Sequence, residues 1–244
     1  MVNDKKIINS FYLQDSLNNK LWDKSKKNKY TLKSDVKDKL IKISNIFLDY
    51  LDIDIFVQDI ILIGSLTGYN WSEFSDFDIH ILYDFNEAGD KKELYKELFR
   101  LKKTVFNASH NIHIKGFEVE VFVQDINQPE KSAGSYSIMY NKWIRFPKKN
   151  NFKIDELKLK EKSDQWVEII DEVLDDAKTK SVENAIKLIK KYKEKLRKYR
   201  SCGLKKEGEY SYENLVFKYL RRNGYIDKLD NFKNIIYSKK LSLK

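Results

Sequence analysis

Residues 61–82 read ILIGSLTGYNWSEFSDFDIHIL. A short apolar run stops at Gly64-Ser65. After a spacer of ten residues (66–75), Asp76 and Asp78 stand on either side of Phe77, and the pattern turns apolar again at Ile79. On a strand, positions i and i+2 point to the same face, about 7 Å apart. Two acids on one face of a strand that leads into a core need something to neutralise them, and a divalent cation does so. The Gly-Ser turn offers backbone N–H groups to a phosphate at the start of a helix. A lone D-x-D is common in acidic loops. The turn at this distance and the apolar flanks are what give this one a chemistry, that of a nucleoside-triphosphate site.

Working outward, Ser34 is a candidate N-cap for a helix whose stripe is Val36, Leu40, Ile43, Phe47 and Tyr50. Residues 59–63 read as a first core strand, 65–74 as a turn or short helix eased by Gly68, and 76–83 as a second strand. Residues 91–106 read as an amphipathic helix through Leu94, Leu98, Leu101 and Val105. Residues 111–114 and 117–124 form a hairpin around Lys115-Gly116. The first 30 residues predict at most one short helix. The segment SYSIMYNKWIRFP predicts a short strand pair that ends at Pro147. Beyond it the periodicity is helical: 155–178 through Leu157, Trp166, Ile169, Ile170 and Val173; 181–200 through Val182, Ile186, Ile189 and Leu196, with Gly203 as C-cap; then a helix from Ser211 to Asn223-Gly224 and a basic, frayed tail at 239–244. The fold class is therefore α+β, a mixed sheet flanked by helices (1–150) followed by a helical domain (151–244).

The 244 residues suffice for a proper core, and Lys+Arg 47 against Asp+Glu 37 give a net charge of +10. That balance favours a polyanionic partner such as RNA, DNA or a nucleotide. The same balance also follows from a composition rich in Lys, Asn, Ile and Tyr with only 2 Pro. The single Cys202 excludes a disulfide framework within the chain and fits a reducing cytoplasm. No apolar run approaches a membrane span, and the N-terminus lacks the apolar stretch of a signal peptide.

The 64–79 pattern resembles the nucleotidyltransferase superfamily, the DNA polymerase β-like fold, whose signature is a Gly-Ser turn, a spacer of about ten residues and Asp-hydrophobic-Asp-hydrophobic on a strand. The likeness covers roughly residues 35–126. The whole chain, through the segment GEYSYENLVFKYLRRNGYIDKL, is also similar to uncharacterised nucleotidyltransferase-like proteins of bacterial viruses. The resemblance implies two Mg²⁺ (or Mn²⁺) ions on Asp76 and Asp78, stabilising the attacking and leaving oxygens of a phosphoryl displacement. It implies that Gly64 and Ser65 contact the phosphates of the incoming nucleotide. It also calls for a third carboxylate on a neighbouring strand, which helps hold the metal nearer the nucleophile and assists the nucleophile's deprotonation. In GFEVEVFVQD, Glu118 and Glu120 share one face, and Glu120 is preferred as the deeper; two ordinary glutamates on a solvent-facing edge are the plainer reading. A basic residue of the helical domain, with Lys191 and Lys195 as candidates, is expected to reach the triphosphate across a cleft, although a solvated face is the commoner fate of such a helix.

Other candidates are weaker. Lys142, Trp143 and Arg145 suit base stacking or, more often, packing. Arg221 and Arg222 suit a helix end. His80 shares the Asp76/Asp78 face and reads as a satisfied core histidine. His110, His113 and Cys202 show no metal-ligand spacing. The leading expectation is nucleotidyl transfer from an NTP such as ATP to an acceptor hydroxyl, with pyrophosphate released, an RNA or DNA end favoured as acceptor, and a cytoplasmic location (the host's, if viral). The alternatives are transfer to a protein or small molecule, a non-catalytic module of the same fold that binds or regulates, and a nucleic-acid-binding protein working through its basic helices.

Overall fold

The computed structural model describes residues 3–26, 29–128 and 132–242. In chain order the elements are α1 (Asp4–Asn9), β1 (Trp22–Lys24), β2 (Tyr30–Leu32), α2 (Ser34–Leu51), β3 (Asp59–Ile63), β4 (Asp76–Tyr83), α3 (Lys92–Ser109), β5 (His113–Ile114), β6 (Phe117–Asp125), β7 (Ser135–Ser137), β8 (Lys142–Arg145), α4 (Glu156–Thr179), α5 (Val182–Lys206), α6 (Tyr212–Arg222) and α7 (Tyr225–Leu241). The fold is α+β, with a mixed sheet flanked by helices and a helical C-terminal part. Leu13–Asn150 forms one compact unit, and Met1–Tyr12 with Asn151–Lys244 forms the other.

In the first unit the six-stranded sheet runs β5-β6-β4-β3-β7-β8. All neighbours are antiparallel except β4 and β6. A parallel pair needs a crossover, and α3 provides it. Period-two alternation puts Phe77, Ile79 and Ile81 of β4 and Val119 and Val121 of β6 on the core face, all at most 4 % exposed. They are buried in one cluster with Val36, Leu40, Ile43, Phe47 and Leu51 of α2 and with Phe99 and Phe106 of α3. Phe47 and Phe106 meet edge to face at 5.0 Å. Past Val119, no strand among the described residues pairs with the outer edge of β6. There the Asn107 amide takes over, donating to Val121 O and accepting from Val121 N at 3.3 Å each.

Several expectations are corrected in this unit. On α3 the named stripe is not the buried one: Leu94, Leu101 and Val105 are 63, 49 and 55 % exposed. A period of 3.6 admits two stripes here, and the aromatic one, Tyr95-Phe99-Phe106, wins because its rings bury more area. Lys102 lies along the same side and donates to Tyr50 O at 2.9 Å. Ser34 is the first residue of α2 rather than its cap, since Lys33 occupies that position with no side-chain cap. The early segment holds the β1–β2 pair as well as a helix. Trp22 of that pair stacks on Trp143 at 4.6 Å, and Trp143 Nε1 donates to Tyr30 O at 2.7 Å, so Trp143 is a packing residue. The Lys115-Gly116 turn forms as expected, both residues having positive φ (52° and 91°).

The second unit is helical. Asp155, Ser181 and Ser211 cap α4, α5 and α6 by accepting from backbone N–H groups. The expected domain 1–150 differs from the observed unit at its start, because α1 packs into the helical unit. Tyr219 OH donates to Asp4 at 2.6 Å, and Arg222 donates to the Ser10 hydroxyl while its guanidinium covers Phe11 at 4.7 Å. Gly203 does not end α5, which continues to Lys206. It is buried, and a Cβ there would lie 2.6 Å from both Glu213 Cβ and Ser211 Oγ, so glycine is what lets α5 and the start of α6 approach. Leu157 is 78 % exposed and lies outside the α4 stripe of Leu159, Trp166, Ile170 and Val173. The tail is helical through Leu241, and residues 243–244 lie outside the described residues.

Candidate functional site

β4 fixes the pair of aspartates. Phe77 and Ile79 are fully buried, so alternation turns Asp76 and Asp78 to the opposite face, where both are half-buried. The parallel register sets Asp76 beside Glu118 and Asp78 beside Glu120. All four carboxylates therefore leave the sheet on one side.

The Gly64 turn is built around Asp78. Gly64 has φ 84° and ψ −163°, a region that is essentially glycine's alone. A Cβ at Gly64 would lie 2.2 Å from Asp78 Oδ2. The space that the missing side chain leaves is filled by that carboxylate. Thr67 Oγ1 lies 2.8 Å from the carbonyl oxygens of both Gly64 and Gly134. Ser65 Oγ donates to Ser75 Oγ at 2.7 Å, and Ser75 Oγ accepts from Ser72 N at 3.0 Å. These bonds pin the loop from which Asp76 emerges. The helix expected after Gly64-Ser65 is only the 3₁₀ turn Ser65–Thr67, too short for a macrodipole, and Gly64 N donates to Ser132 Oγ at 3.0 Å. Of the phosphate cradle, the turn is present and the helix end is not.

Glu120, preferred as third acid, lies with its carboxylate 3.9 Å from Lys103 Nζ. Glu118 is exposed. Among the described residues no group of three or more His, Cys, Asp or Glu side chains is gathered closely enough to hold a metal ion by itself. The donor set nevertheless suits Mg²⁺, which takes oxygen ligands and needs only one or two carboxylates once substrate phosphates supply the rest. Asp76 and Asp78 meet that requirement.

His80, next on the same face, is 6 % exposed. Its Nδ1 is hydrogen-bonded to Gln124 Oε1, and its ring lies 3.7 Å from that of Phe122. Burial holds its pKa down at about 4, so it is neutral at pH 7 and serves as a satisfied core histidine.

Lys191 and Lys195 belong to the helical unit. Lys191 lies 5.9 Å from the Tyr192 ring, and Lys195 lies 5.8 and 5.6 Å from the Trp166 and Tyr192 rings. The helical unit also holds a cation that the sequence did not single out, Lys218, which lies near Arg200, Arg221 and Arg222. Lys218 is half-buried and makes no hydrogen bond or ion pair among the described residues. Burial, and then repulsion from Arg222, Arg221 and Arg200, holds its pKa below the usual lysine value, with Glu209 opposing. Arg200 is itself depressed by burial and by Arg221, while its Nε donates to Asn214 Oδ1 at 3.0 Å. Only packing brings these residues together, since Arg200 and Lys218 come from different helices.

No family model and no curated protein matches the chain. Among solved structures it is similar to a STING-associated CdnE c-di-GMP synthase from Capnocytophaga granulosa, at 14 % identity over 86 % of this chain and 83 % of that one, with a TM-score of 0.22. A score so low carries no argument about fold or chemistry, and the function is inferred from the residues of the chain itself.

Proposed function

We propose that the chain is a metal-dependent nucleotidyltransferase that moves a nucleoside monophosphate from an NTP to an acceptor hydroxyl and releases pyrophosphate. The observation that carries this reading is the seating of the Asp78 carboxylate in the space left by Gly64, with Asp76 on the same strand face. The Gly64-Ser65 turn and the pair of acids, with ten residues between them in sequence, are thereby one piece of structure.

Asp76 and Asp78 would hold Mg²⁺ or Mn²⁺, which supplies charge neutralisation at the triphosphate. The rest falls to the chain. The Gly64-Ser65 turn positions the phosphates, with the Ser65 hydroxyl as a donor that can be exchanged from Ser75. Glu120, the register neighbour of Asp78, accepts the proton of the acceptor hydroxyl. Phosphate contacts for Lys191 and Lys195 are proposed on charge alone. The net charge of +10 favours a nucleic-acid end as acceptor over a protein or small molecule.

One observation favours a second reading, a nucleotide-binding module without transfer: Glu120 lies beside Lys103 and is not gathered with the aspartates. The test is incubation of the pure protein with each labelled triphosphate and bulk RNA, with and without Mg²⁺. The expected result is Mg²⁺-dependent label transfer and pyrophosphate release, both lost in Asp78→Asn. Triphosphate binding with no transfer to RNA, protein or small-molecule acceptors would establish the second reading. Transfer undiminished in Asp78→Asn would refute the first.

A further inference from the structure

A cavity of about 450 Å³ lies beside α3 in the first unit, at the far end of β6. Its lining includes Lys96, Arg100, Lys103, Phe122, Gln124 and Asp125. Gln124 is four residues beyond Glu120 along β6, about 13 Å at the rise of a strand. The far end of the cavity is thus well removed along β6 from Glu120, while Lys103 on its near side reaches the Glu120 carboxylate, and its volume lies in the range of small-molecule sites.

The charge of the lining is lopsided. Lys96, Arg100 and Lys103 recur at i, i+4 and i+7, so one stripe of α3 brings three cations to the cavity. Among the described residues the only acid in the lining is Asp125, which is buried, with Oδ1 accepting from Asn127 N and Nδ2 at 3.1 Å each. Lys96 and Arg100 each have a carboxylate partner three residues back, Glu93 at 2.7 Å and Glu97 at 2.5 Å, but these are exposed helix pairs that bind weakly and exchange readily. Lys103 is 3.9 Å from Glu120 and 4.2 Å from the centroid of the Phe122 ring.

The rest of the lining is apolar and amide. Phe85 and Phe99 close the inner end of the cavity from the core, and half-buried Phe122 is the ring open to it. Gln124 gives its carbonyl to His80, which leaves its NH₂ directed elsewhere. Cations able to take a phosphate, ring surface for a planar group and an amide for that group's edge are the parts of a nucleotide site. We infer that this cavity is a second binding site, for a single nucleotide unit, with the phosphate on Arg100 and Lys103 and the base against the phenylalanine wall. The unit is either a free mononucleotide or one residue of a single strand.

The inference is independent of the proposed transfer activity and is tested without it. Binding of AMP, UMP, a six-nucleotide single strand and inorganic phosphate to the full chain is measured by calorimetry in EDTA, for the unaltered protein, for Arg100→Gln/Lys103→Gln and for Lys39→Gln/Lys42→Gln, which removes two exposed cations of α2. Thermal unfolding confirms that both variants are folded. The expected result is that the nucleotide ligands bind, that Arg100→Gln/Lys103→Gln loses about tenfold or more, and that Lys39→Gln/Lys42→Gln changes nothing beyond about twofold. A strand at least tenfold tighter than AMP and UMP identifies the source as nucleic acid; equal affinities identify free nucleotide. Absence of binding at millimolar ligand, binding unaffected by Arg100→Gln/Lys103→Gln, or inorganic phosphate binding as well as AMP would each overturn the inference.

Discussion

Replacing Gly64 by alanine is the sharpest test of the Gly64–Asp78 arrangement. Two separable costs arise. The backbone at φ 84° and ψ −163° is a glycine conformation, and holding an L-residue there costs about 1–3 kcal/mol. The new Cβ would also stand 2.2 Å from Asp78 Oδ2, whereas real Cβ contacts do not fall below 3.0 Å, so the two must separate by at least 0.8 Å. Asp78 Cγ and Cβ, at 3.2 and 3.5 Å, block a simple slide, so the carboxylate must turn away. The sum is a loss of about 2–3 kcal/mol, which in a domain of this size lowers the melting temperature by roughly 5–10 °C. A reacting-site group displaced by nearly 1 Å costs about a hundredfold in rate. Gly116→Ala is the control: φ is 91° there, but a Cβ would meet nothing within 4 Å, so it carries backbone strain without the collision. The assays are thermal unfolding and calorimetric titration of Mn²⁺ with a non-hydrolysable ATP analogue. Gly64→Ala should lose both stability and Mn²⁺–nucleotide affinity, and Gly116→Ala should lose only about 1 kcal/mol of stability. A Gly64→Ala protein that melts within 1 °C of the original and binds Mn²⁺–nucleotide equally well would refute the reasoning.

Three further outcomes are expected. The folded pKa of His80 is about 4 against an ordinary 6.5, so its share of stability is intact above pH 6.5 and is lost as pH falls from 6.5 to 4, where the unfolded chain takes a proton first. That amounts to about 3 kcal/mol. Urea denaturation of the protein and of His80→Gln, which keeps an amide for Gln124, should therefore shift in the variant's favour by about that amount between pH 7 and pH 4, and parallel pH profiles would count against it. Lys218→Met removes a half-buried cation crowded by arginines, and after solvent screening it should raise stability by up to about 1 kcal/mol; a marked loss in thermal unfolding would mean that Lys218 has a stabilising partner. Glu120→Gln should reduce label transfer far more than Glu118→Gln, and the reverse order would reassign the base to the register neighbour of Asp76.

Much of this architecture was legible in the sequence because the physics involved is local. Alternation in DFDIHILY settles that Asp76 and Asp78 share a face whatever packs on the other side. The positive-φ preference of Lys115-Gly116 closes its hairpin from within two residues. The helix and strand order from Ser34 to Phe117 follows from periodicity in the same way. Where two local solutions existed, the sequence could not choose. α3 carries an aliphatic stripe and an aromatic stripe, and the choice depends on which surface the sheet offers. Gly203 looks like a helix stop in isolation, and only the nearness of Glu213 and Ser211 reveals that it is a point of close approach.

The site divides along the same line. The sequence by itself determined the acids, the Gly-Ser turn and their shared strand face. Tertiary structure decided the rest: that β4 and β6 lie parallel in the register Asp78–Glu120, that the Asp78 carboxylate occupies the space left by Gly64, and that Lys103 of the crossover helix stands beside Glu120. It also decided that α1 joins the helical unit and that Arg200 and Lys218 crowd together. The reason is range. Backbone preference and side-chain period act over a few residues, whereas register, close approach and charge crowding join positions 8 to more than 200 residues apart, and those are fixed only when the elements pack.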